Sequence, residues 1–217
     1  MVAQATFSTG LLSSYCQAED VRALLAAYDF SRLGDAQAQA ERLATLLPIT
    51  RRAVETAAGR DFTWHAADTV LLDGTGTDRV SLQGAGTLPL GAVRELRVEA
   101  RLVAESDYVV YPQGEIRLKP GGALGGRFPR GAQNVAVVLD WGYPQPPPEV
   151  GLAQAKLTAA ELLAEAAGET VATESVSLGD YAVRYAGGGK YAGAIRRLVV
   201  EATEALRVFR RWKVRAV

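Results

Sequence analysis

The fold is decided by residues 48–62, PITRRAVETAAGRDF, which have the pattern of one helix with a marked end. Apolar residues recur there at spacings of three and four and form a single stripe, which consists of Ile49, Ala53, Val54, Ala57 and Ala58. Pro48 suits the first turn of a helix, and Gly59 can adopt the left-handed conformation that ends one. After Phe62 the spacing becomes that of strands for about eighty residues. Helices are therefore predicted on both sides of a β-rich insert.

Two more helices are predicted before this stretch. The first covers residues 19–28 and has its apolar residues on one side. The second begins at Asp35, whose side chain can accept a hydrogen bond from an unpaired N–H of the first turn. It is expected either to be interrupted at Pro48, because proline lacks an N–H and its ring collides with the preceding turn, or to bend there and continue into the helix of residues 48–62. Residues 1–18 are assigned to an N-terminal arm, and residues 19–62 to the first part of a helical core.

The insert and the proline-rich linker that follows it cover residues 63–148. The first strand ends at the turn signal Asp73-Gly74-Thr75-Gly76, and Val80 and Leu82 are expected on the strand that returns along it. Residues 121–131 are rich in glycine and are expected to form a long mobile loop.

Two further features define the rest of the insert. Residues 108–111 and 115–118 are expected to pair as a hairpin around Pro112-Gln113-Gly114. The strongest strand has a continuous apolar face, which consists of Val135, Val137, Leu139 and Trp141. Strands this short and this closely spaced predict a small antiparallel β sandwich or barrel.

The second part of the helical core covers residues 149–217. Residues 149–167 predict a helix that is apolar on more than one side. Such a helix either needs more cover than one small bundle supplies or is an ordinary buried core helix, and the sequence leaves both readings open. Residues 191–211 predict an amphipathic final helix. The predicted fold class is α+β, with a helical bundle core from the N- and C-terminal segments and an inserted β domain.

Charge is divided unevenly along the chain of 217 residues. The net charge is zero, yet residues 190–217 contain eight basic and two acidic residues. The remainder therefore carries an equal excess of negative charge. A molecule that is acidic in its body and basic at its tail can pair head to tail with copies of itself or offer the tail to an acidic partner.

Two classes of protein are disfavoured by the sequence. Cys16 is the only cysteine, so no intrachain disulfide can form, which fits a reducing compartment. No apolar run reaches the roughly 18 residues that span a bilayer. The first residues also lack the basic start and apolar run of a secretory signal. We therefore expect neither secretion nor a membrane partner.

No catalytic, metal or cofactor site is predicted. Gly187-Gly188-Gly189-Lys190 is close to a phosphate-binding loop, but Tyr191 replaces the required Ser or Thr. The segment 73–78 lacks the calcium-loop pattern and is better explained as a hairpin turn. His65 is the only histidine, which excludes histidine clusters. We expect no enzymatic activity and no cofactor.

The order of several short motifs resembles one known family. A helix ending in Ala58-Gly59-Arg60-Asp61-Phe62 precedes the strand that ends at Asp73-Gly74-Thr75-Gly76. A valine-rich strand then runs into Trp141-Gly142-Tyr143-Pro144. An alanine-rich helix, the segment ESVSLGDY at residues 174–181 and a basic terminus follow. Across residues 19–215 the chain resembles the head–tail connector, or adaptor, proteins of tailed phages and gene-transfer particles.

This resemblance implies a structural role in the virion. Members of the family form a ring of identical subunits, dodecameric, which completes the head by docking beneath the portal protein. The ring extends the DNA channel towards the stopper or tail-completion protein, and DNA passes through it when the genome is ejected. The resemblance thus implies assembly in the host cytoplasm and a final location at the head–tail interface. The long N-terminal arm and the large β insert depart from simpler members.

The C-terminal run interleaves basic and aromatic residues. We interpret it as a portal-docking segment that is anchored by Phe209 and Trp212 and held by charge-assisted contacts. The predicted docking residues are Arg207, Phe209, Arg210, Arg211, Trp212, Lys213 and Arg215. Contact with DNA phosphates and a solvated helix end are the alternatives.

An inter-subunit arm is the second predicted site. Its apolar residues alternate around Gly179-Asp180, and the hypothesis is that this arm adds a strand to a neighbouring subunit. The predicted arm residues are Val176, Leu178, Tyr181, Val183 and Tyr185. The alternative is an ordinary surface hairpin.

A second class of function stays open at this point. The chain could be another oligomeric virion protein, such as a stopper or tail component, or a module that binds a ligand through its β domain. A ring of twelve subunits in native mass spectrometry would favour the connector. A stable monomer that binds sugar or peptide would favour the alternative.

Overall fold

The computed structural model describes residues 14–29, 31–168 and 173–209, and the chain divides into two compact units. One unit combines the described residues up to Asp61 with those from Pro146 onward, and the other is Phe62–Gln145. The helical unit contains the four α-helices of the described chain, and the β unit contains two antiparallel sheets. The α+β fold class is therefore confirmed.

In chain order the main elements are α1 (Ala18–Leu25), α2 (Ala36–Ala58), β1 (Trp64–Gly74), β2 (Arg79–Ser81), β3 (Leu90–Val98), β4 (Arg101–Leu102), β5 (Tyr108–Tyr111), β6 (Glu115–Leu118), β7 (Gly131–Gly142), α3 (Pro148–Ala167), β8 (Thr173–Leu178), β9 (Tyr181–Ala186) and α4 (Ala192–Leu206). Short 3₁₀ turns lie at Ser31–Leu33, Gln83–Ala85, Glu105–Asp107 and Arg207–Phe209.

Helix α3 is the centre of the helical unit. Helices α1, α2 and α4 and strand β9 all pack against it, so helices from before and after the β insert contact one another directly. Its buried residues lie on every side of the helix, as the sequence predicted. Leu152, at 47% exposure, is the one exposed large apolar side chain of this fully described helix. Of the two readings that the sequence leaves open, the burial favours the ordinary core helix, because elements of its own chain cover α3.

Helix α2 begins and ends where the sequence predicts. The Asp35 carboxylate accepts a hydrogen bond from the backbone N–H of Ala38 at 2.9 Å, and Gly59 closes the helix in the left-handed conformation at φ 69°. Of the two possibilities at Pro48, the continuous helix is found, because α2 runs through this residue.

Two antiparallel sheets form the β unit. The first has the strand order β1-β7-β3-β4, and the second has the order β2-β6-β5. Strand β7 is central, and Val135, Val137 and Leu139 are fully buried, as predicted. The hairpin β5–β6 also lies where the sequence places it. Neither sheet closes into a barrel within the fully described range 62–145, so that alternative is wrong. Apolar residues from both sheets form one core cluster.

Strand β2 does not return along β1, so that prediction is wrong. Val80 is paired with Ile116 of β6, which places β2 in the second sheet. The turn after β1 therefore leads the chain from one sheet to the other. Leu118 fixes the new register, because its N–H donates to the Asp78 carbonyl at 2.8 Å.

The glycine-rich segment 121–131 has no regular strand before Gly131, and one side chain anchors it. Phe128 is fully buried in the β core, and its N–H donates to the Thr77 carbonyl oxygen at 2.8 Å. The predicted long loop is therefore attached to the core near its middle.

Candidate interaction surface at one end of the helical unit

The two described ends of the chain lie at the same end of the helical unit. Arg32 donates to the Ala167 carbonyl in the last turn of α3, and the nearby Asp29 carbonyl accepts from the Tyr191 hydroxyl at the start of α4. Midway along both helices, Lys156 forms an ion pair with Glu201 at 2.8 Å. Helices α3 and α4 are therefore antiparallel, and the last turn of α4 lies beside the first turns of α3.

The N-terminal end of the described chain is fixed at the same place. The backbone N–H of Tyr15 donates to Gln154 Oε1 of α3 at 2.6 Å. The Tyr15 hydroxyl donates to the Glu55 carboxylate of α2 at 2.6 Å, and the Arg51 guanidinium lies over the Tyr15 ring at 4.6 Å. Tyr15, near the N-terminal end of the described residues, and the last turn of α4 consequently both lie beside the first turns of α3.

A buried polar cluster joins α2 and α3 just below this end. The Gln154 side chain, which is fully buried, also donates through Nε2 to the Leu47 carbonyl oxygen at 2.8 Å. The buried hydroxyls of Thr50 and Thr158 lie 2.8 Å apart, and Thr158 donates to the Gln154 carbonyl at 2.9 Å. These contacts lie next to Pro48 and attach this turn of α2 to α3.

Sequence reasoning missed this cluster, although a signal was present. Thr50, Gln154 and Thr158 stand at positions where helical spacing expects apolar residues. A buried polar side chain is stable only when its hydrogen bonds are satisfied, so three such residues on two adjacent helices indicate mutual contact.

Replacing Gln154 with leucine should lower the free energy of unfolding of the helical unit by about 2 kcal/mol, because it leaves the Tyr15 N–H without its partner in a protected site. Urea denaturation followed by far-ultraviolet circular dichroism at the helical band measures the loss. Gln37→Leu, on the exposed side of α2, is the matched control and should change stability by less than about 0.5 kcal/mol. Equal stability of the two variants would contradict the role given to Gln154.

An apolar trough of about 530 Å³ lies beside this cluster. We call it the proline trough. Its walls are formed by Tyr15, Leu24, Leu152 and the three consecutive prolines Pro146, Pro147 and Pro148. Asp20 also lines it, and Glu149 is exposed in the first turn of α3. The trough is thus mainly apolar, with one acidic residue, Asp20, in its lining and a second, Glu149, next in the chain to its wall residue Pro148.

The predicted docking segment lies only partly within the described residues. Arg207 is exposed and Phe209 is half-buried in the 3₁₀ turn that follows α4, and Val208 between them is 81% exposed. The remaining predicted docking residues, Arg210, Arg211, Trp212, Lys213 and Arg215, lie outside the described residues. Portal docking by this segment stays a prediction.

The predicted inter-subunit arm forms the hairpin β8–β9, which packs on α3 and α4 of its own chain. Leu178, Val183 and Tyr185 are buried there, whereas Val176 and Tyr181 are half-buried. This placement favours the alternative of a surface hairpin, because three of the five side chains already belong to the core of their own subunit.

A half-buried carboxyl ties this hairpin to α3. The Tyr181 hydroxyl donates to Glu161 Oε1 at 2.5 Å, and one turn further along α3 the Glu165 carboxylate binds Arg42 of α2 through two hydrogen bonds. Burial raises the pKa of Glu161; the Glu165 charge adds to this effect, whereas the Tyr181 hydrogen bond and Arg42 oppose it. Burial and the bond to Glu161 also raise the pKa of Tyr181.

The raised pKa of Glu161 predicts a pH dependence of stability. Between the unfolded and folded pKa values the folded chain binds more protons, so this group's contribution falls as pH rises through that interval. Glu161→Gln keeps an acceptor for Tyr181 and carries no charge. The free energy of unfolding of Glu161→Gln should therefore improve relative to that of the parent as pH rises from about 4 to about 7. Urea titrations at both pH values measure it, with exposed Glu105→Gln as the control. No gain for Glu161→Gln over Glu105→Gln would contradict the burial effect.

Two kinds of feature are missing from the described part of the chain. None of its helices has both the length and the apolar composition to cross a membrane. The same residues contain no group of three or more His, Cys, Asp or Glu side chains that could hold a metal ion.

No protein-family model matches the chain, and no curated protein matches it. Solved structures that are similar to it include two particle necks. The neck of an empty GTA particle, computed with C6 symmetry, is 16% identical with a TM-score of 0.49, over 99% of this chain and 96% of the other. The neck of a native GTA particle, computed with C12 symmetry, is 16% identical with a TM-score of 0.42, over 93% and 96%.

These neighbours are necks of gene transfer agent particles. They belong to the class of particle that the sequence resemblance names.

Proposed function

We propose that the protein is a structural subunit of the neck of a tailed-phage-like or gene-transfer particle, and specifically a head–tail connector. The observation that carries this proposal is the construction of the helical unit. Helices from both ends of the chain pack on α3, and α4 leads directly into the basic C-terminal segment. A rigid helical unit with a charged extension at one end suits a subunit that is fixed to a ring and reaches towards a partner.

The motifs that carry the family resemblance occupy defined places in this construction. The stretch Ala58-Gly59-Arg60-Asp61-Phe62 ends α2 and leads out of the helical unit. The run Trp141-Gly142-Tyr143-Pro144 ends β7 and leads back towards α3. Two of the motifs that carry the resemblance therefore lie at the crossings between the units.

The connector would act as a ring under the portal protein that extends the DNA channel towards the stopper. The uneven charge along the chain supports a head-to-tail contact between copies, which closes into a ring when the rotation between subunits permits. The dodecameric state follows from the family resemblance. In this role the subunit carries out no reaction and needs no cofactor, and it works in the virion.

Native mass spectrometry of the full chain, alone and with portal protein, tests the ring. The expected result is a complex of twelve subunits, either in isolation or on the portal. A monomer in both samples would overturn the proposal, because a connector must assemble at least on its template.

Deleting residues 207–217 tests the docking segment separately. The shortened chain should fold, because the last buried residue of α4 is Leu206, and should lose retention by immobilised portal protein. The double variant Arg196→Ala/Arg197→Ala removes two cations from the exposed side of α4 and should be retained. Unchanged retention of the shortened chain would reject docking through the tail while leaving the ring untouched.

A further inference from the structure

The proline trough and the end of α4 are neighbours on the surface of the helical unit. Leu152, on the trough wall, precedes Lys156 by one turn of α3, and Lys156 pairs with Glu201 of α4. Residues one turn apart on α3 therefore contact the trough, through Leu152, and α4, through Lys156. Because the two helices are antiparallel, the chain that leaves α4 after Phe209 starts within a short distance of the trough.

The chemistry of the segment that follows Phe209 matches this trough. Residues 210–217, RRWKVRAV, contain one large aromatic residue, Trp212, among four cations. The trough offers an apolar surface of proline, leucine and tyrosine for an aromatic ring; Asp20 lines it, and the exposed Glu149 follows its wall residue Pro148 in the chain. Eight extended residues span up to about 28 Å, which is ample for a site that starts beside the α4 end.

We propose that, in the subunit before assembly, the proline trough binds residues 210–217 of its own chain, with the Trp212 ring in the trough and the flanking cations near Asp20 and Glu149. The N-terminal arm is the competing occupant, but residues 1–13 carry no charged side chain and would leave these two carboxylates without counter-charges. A tail tethered beside the trough also has a high local concentration there, which favours its own subunit over a second copy.

This docking would keep a basic aromatic segment covered until a partner takes it. That consequence alone rests on the proposed function, in which the portal removes the tail from the trough. The docking itself concerns the isolated chain. If the tail does not bind the trough, the portal-docking proposal is unaffected. If the portal does not retain the chain, the trough proposal is unaffected.

Disulfide trapping in the full chain tests the proposal. In a Cys16→Ala background, cysteines are introduced as Ala23→Cys on the trough wall and Val214→Cys in the tail, which leaves Trp212 intact. The control pair is Val200→Cys with Val214→Cys, since Val200 is 50% exposed on α4. At micromolar protein and mild oxidation, the trough pair should close as an intramolecular disulfide about tenfold faster than the control pair. Circular dichroism verifies that each variant is folded.

A Trp212 variant and a change of salt concentration test which contacts hold the tail in the trough. Trp212→Ala in the trough pair should slow closure to the rate of the control pair, and raising the salt concentration should slow it as well. Covalent dimers as the main product would place the tail on a second copy and overturn the proposal. Equal rates for the two pairs would also overturn it. So would closure that appears only after residues 1–13 are deleted, because the arm would then be the occupant.

Discussion

Replacing Gly142 with alanine should destabilise the β unit by about 4 kcal/mol. Gly142 has φ +96°, a conformation that residues with a Cβ rarely adopt, and an added Cβ would lie 1.9 Å from the Thr63 carbonyl oxygen. The backbone cannot move away cheaply, because the Gly142 N–H donates to the Pro89 carbonyl at 2.9 Å. Strain and a backbone collision therefore act together at the end of the central strand β7.

Tryptophan fluorescence during urea denaturation measures this loss, since Trp64 and Trp141 both lie in the β unit. A Trp212→Phe background removes the one tryptophan outside it. Gly84→Ala is the matched control, because an added Cβ there meets no atom within 4 Å. It should change stability by less than about 1 kcal/mol. A Gly142→Ala variant as stable as Gly84→Ala would show that β7 can end in another conformation.

Replacing Phe128 with alanine should cost about 3–5 kcal/mol, the usual loss for a fully buried aromatic side chain. Phe128 contributes to the core cluster that contains residues of both sheets, and its neighbours in the chain are held by turns and by few regular hydrogen bonds. Removing the ring therefore opens a cavity in the core and also detaches the glycine-rich segment. The same fluorescence-detected denaturation measures the loss of stability.

The consequence for the glycine-rich segment can be followed separately by limited proteolysis. Cleavage at Arg127 and Arg130 should accelerate strongly in Phe128→Ala. Leu102→Ala is the control, because Leu102 is 66% exposed and its truncation should cost less than about 0.5 kcal/mol. If Phe128→Ala resisted protease as well as Leu102→Ala does, the anchoring role of Phe128 would be wrong.

Local signals in the sequence predicted much of the secondary structure. Asp35 and Gly59 mark the ends of α2 because each acts on backbone groups within one turn. The hairpin β5–β6 follows from a short turn between two alternating segments. In both places the physical cause lies within a few residues of its effect, which is why a single sequence is sufficient.

The features that the sequence left open or predicted wrongly share the opposite cause. The sequence left open whether α2 continues at Pro48, and the residue that contacts this turn from α3, Gln154, comes more than one hundred residues later. Strand β2 pairs with β6, where Val80 lies opposite Ile116, and not with β1, the strand before it in the sequence. The pattern of α3 alone did not decide whether its own chain covers its apolar surface. The elements that cover it, three helices and β9, meet it only in the folded protein. The proline trough was missed for the same reason, since α1 and the prolines meet only in the folded chain.

The pairing of β1 with β7 brings the entrance and exit of the β unit side by side. Trp64 lies opposite Gly142, and the Tyr143 N–H donates to the Thr63 carbonyl at 3.2 Å. Because its two ends are adjacent, we expect that the β unit can be replaced by a short glycine linker, or by another domain with adjacent ends, while the helical unit still folds.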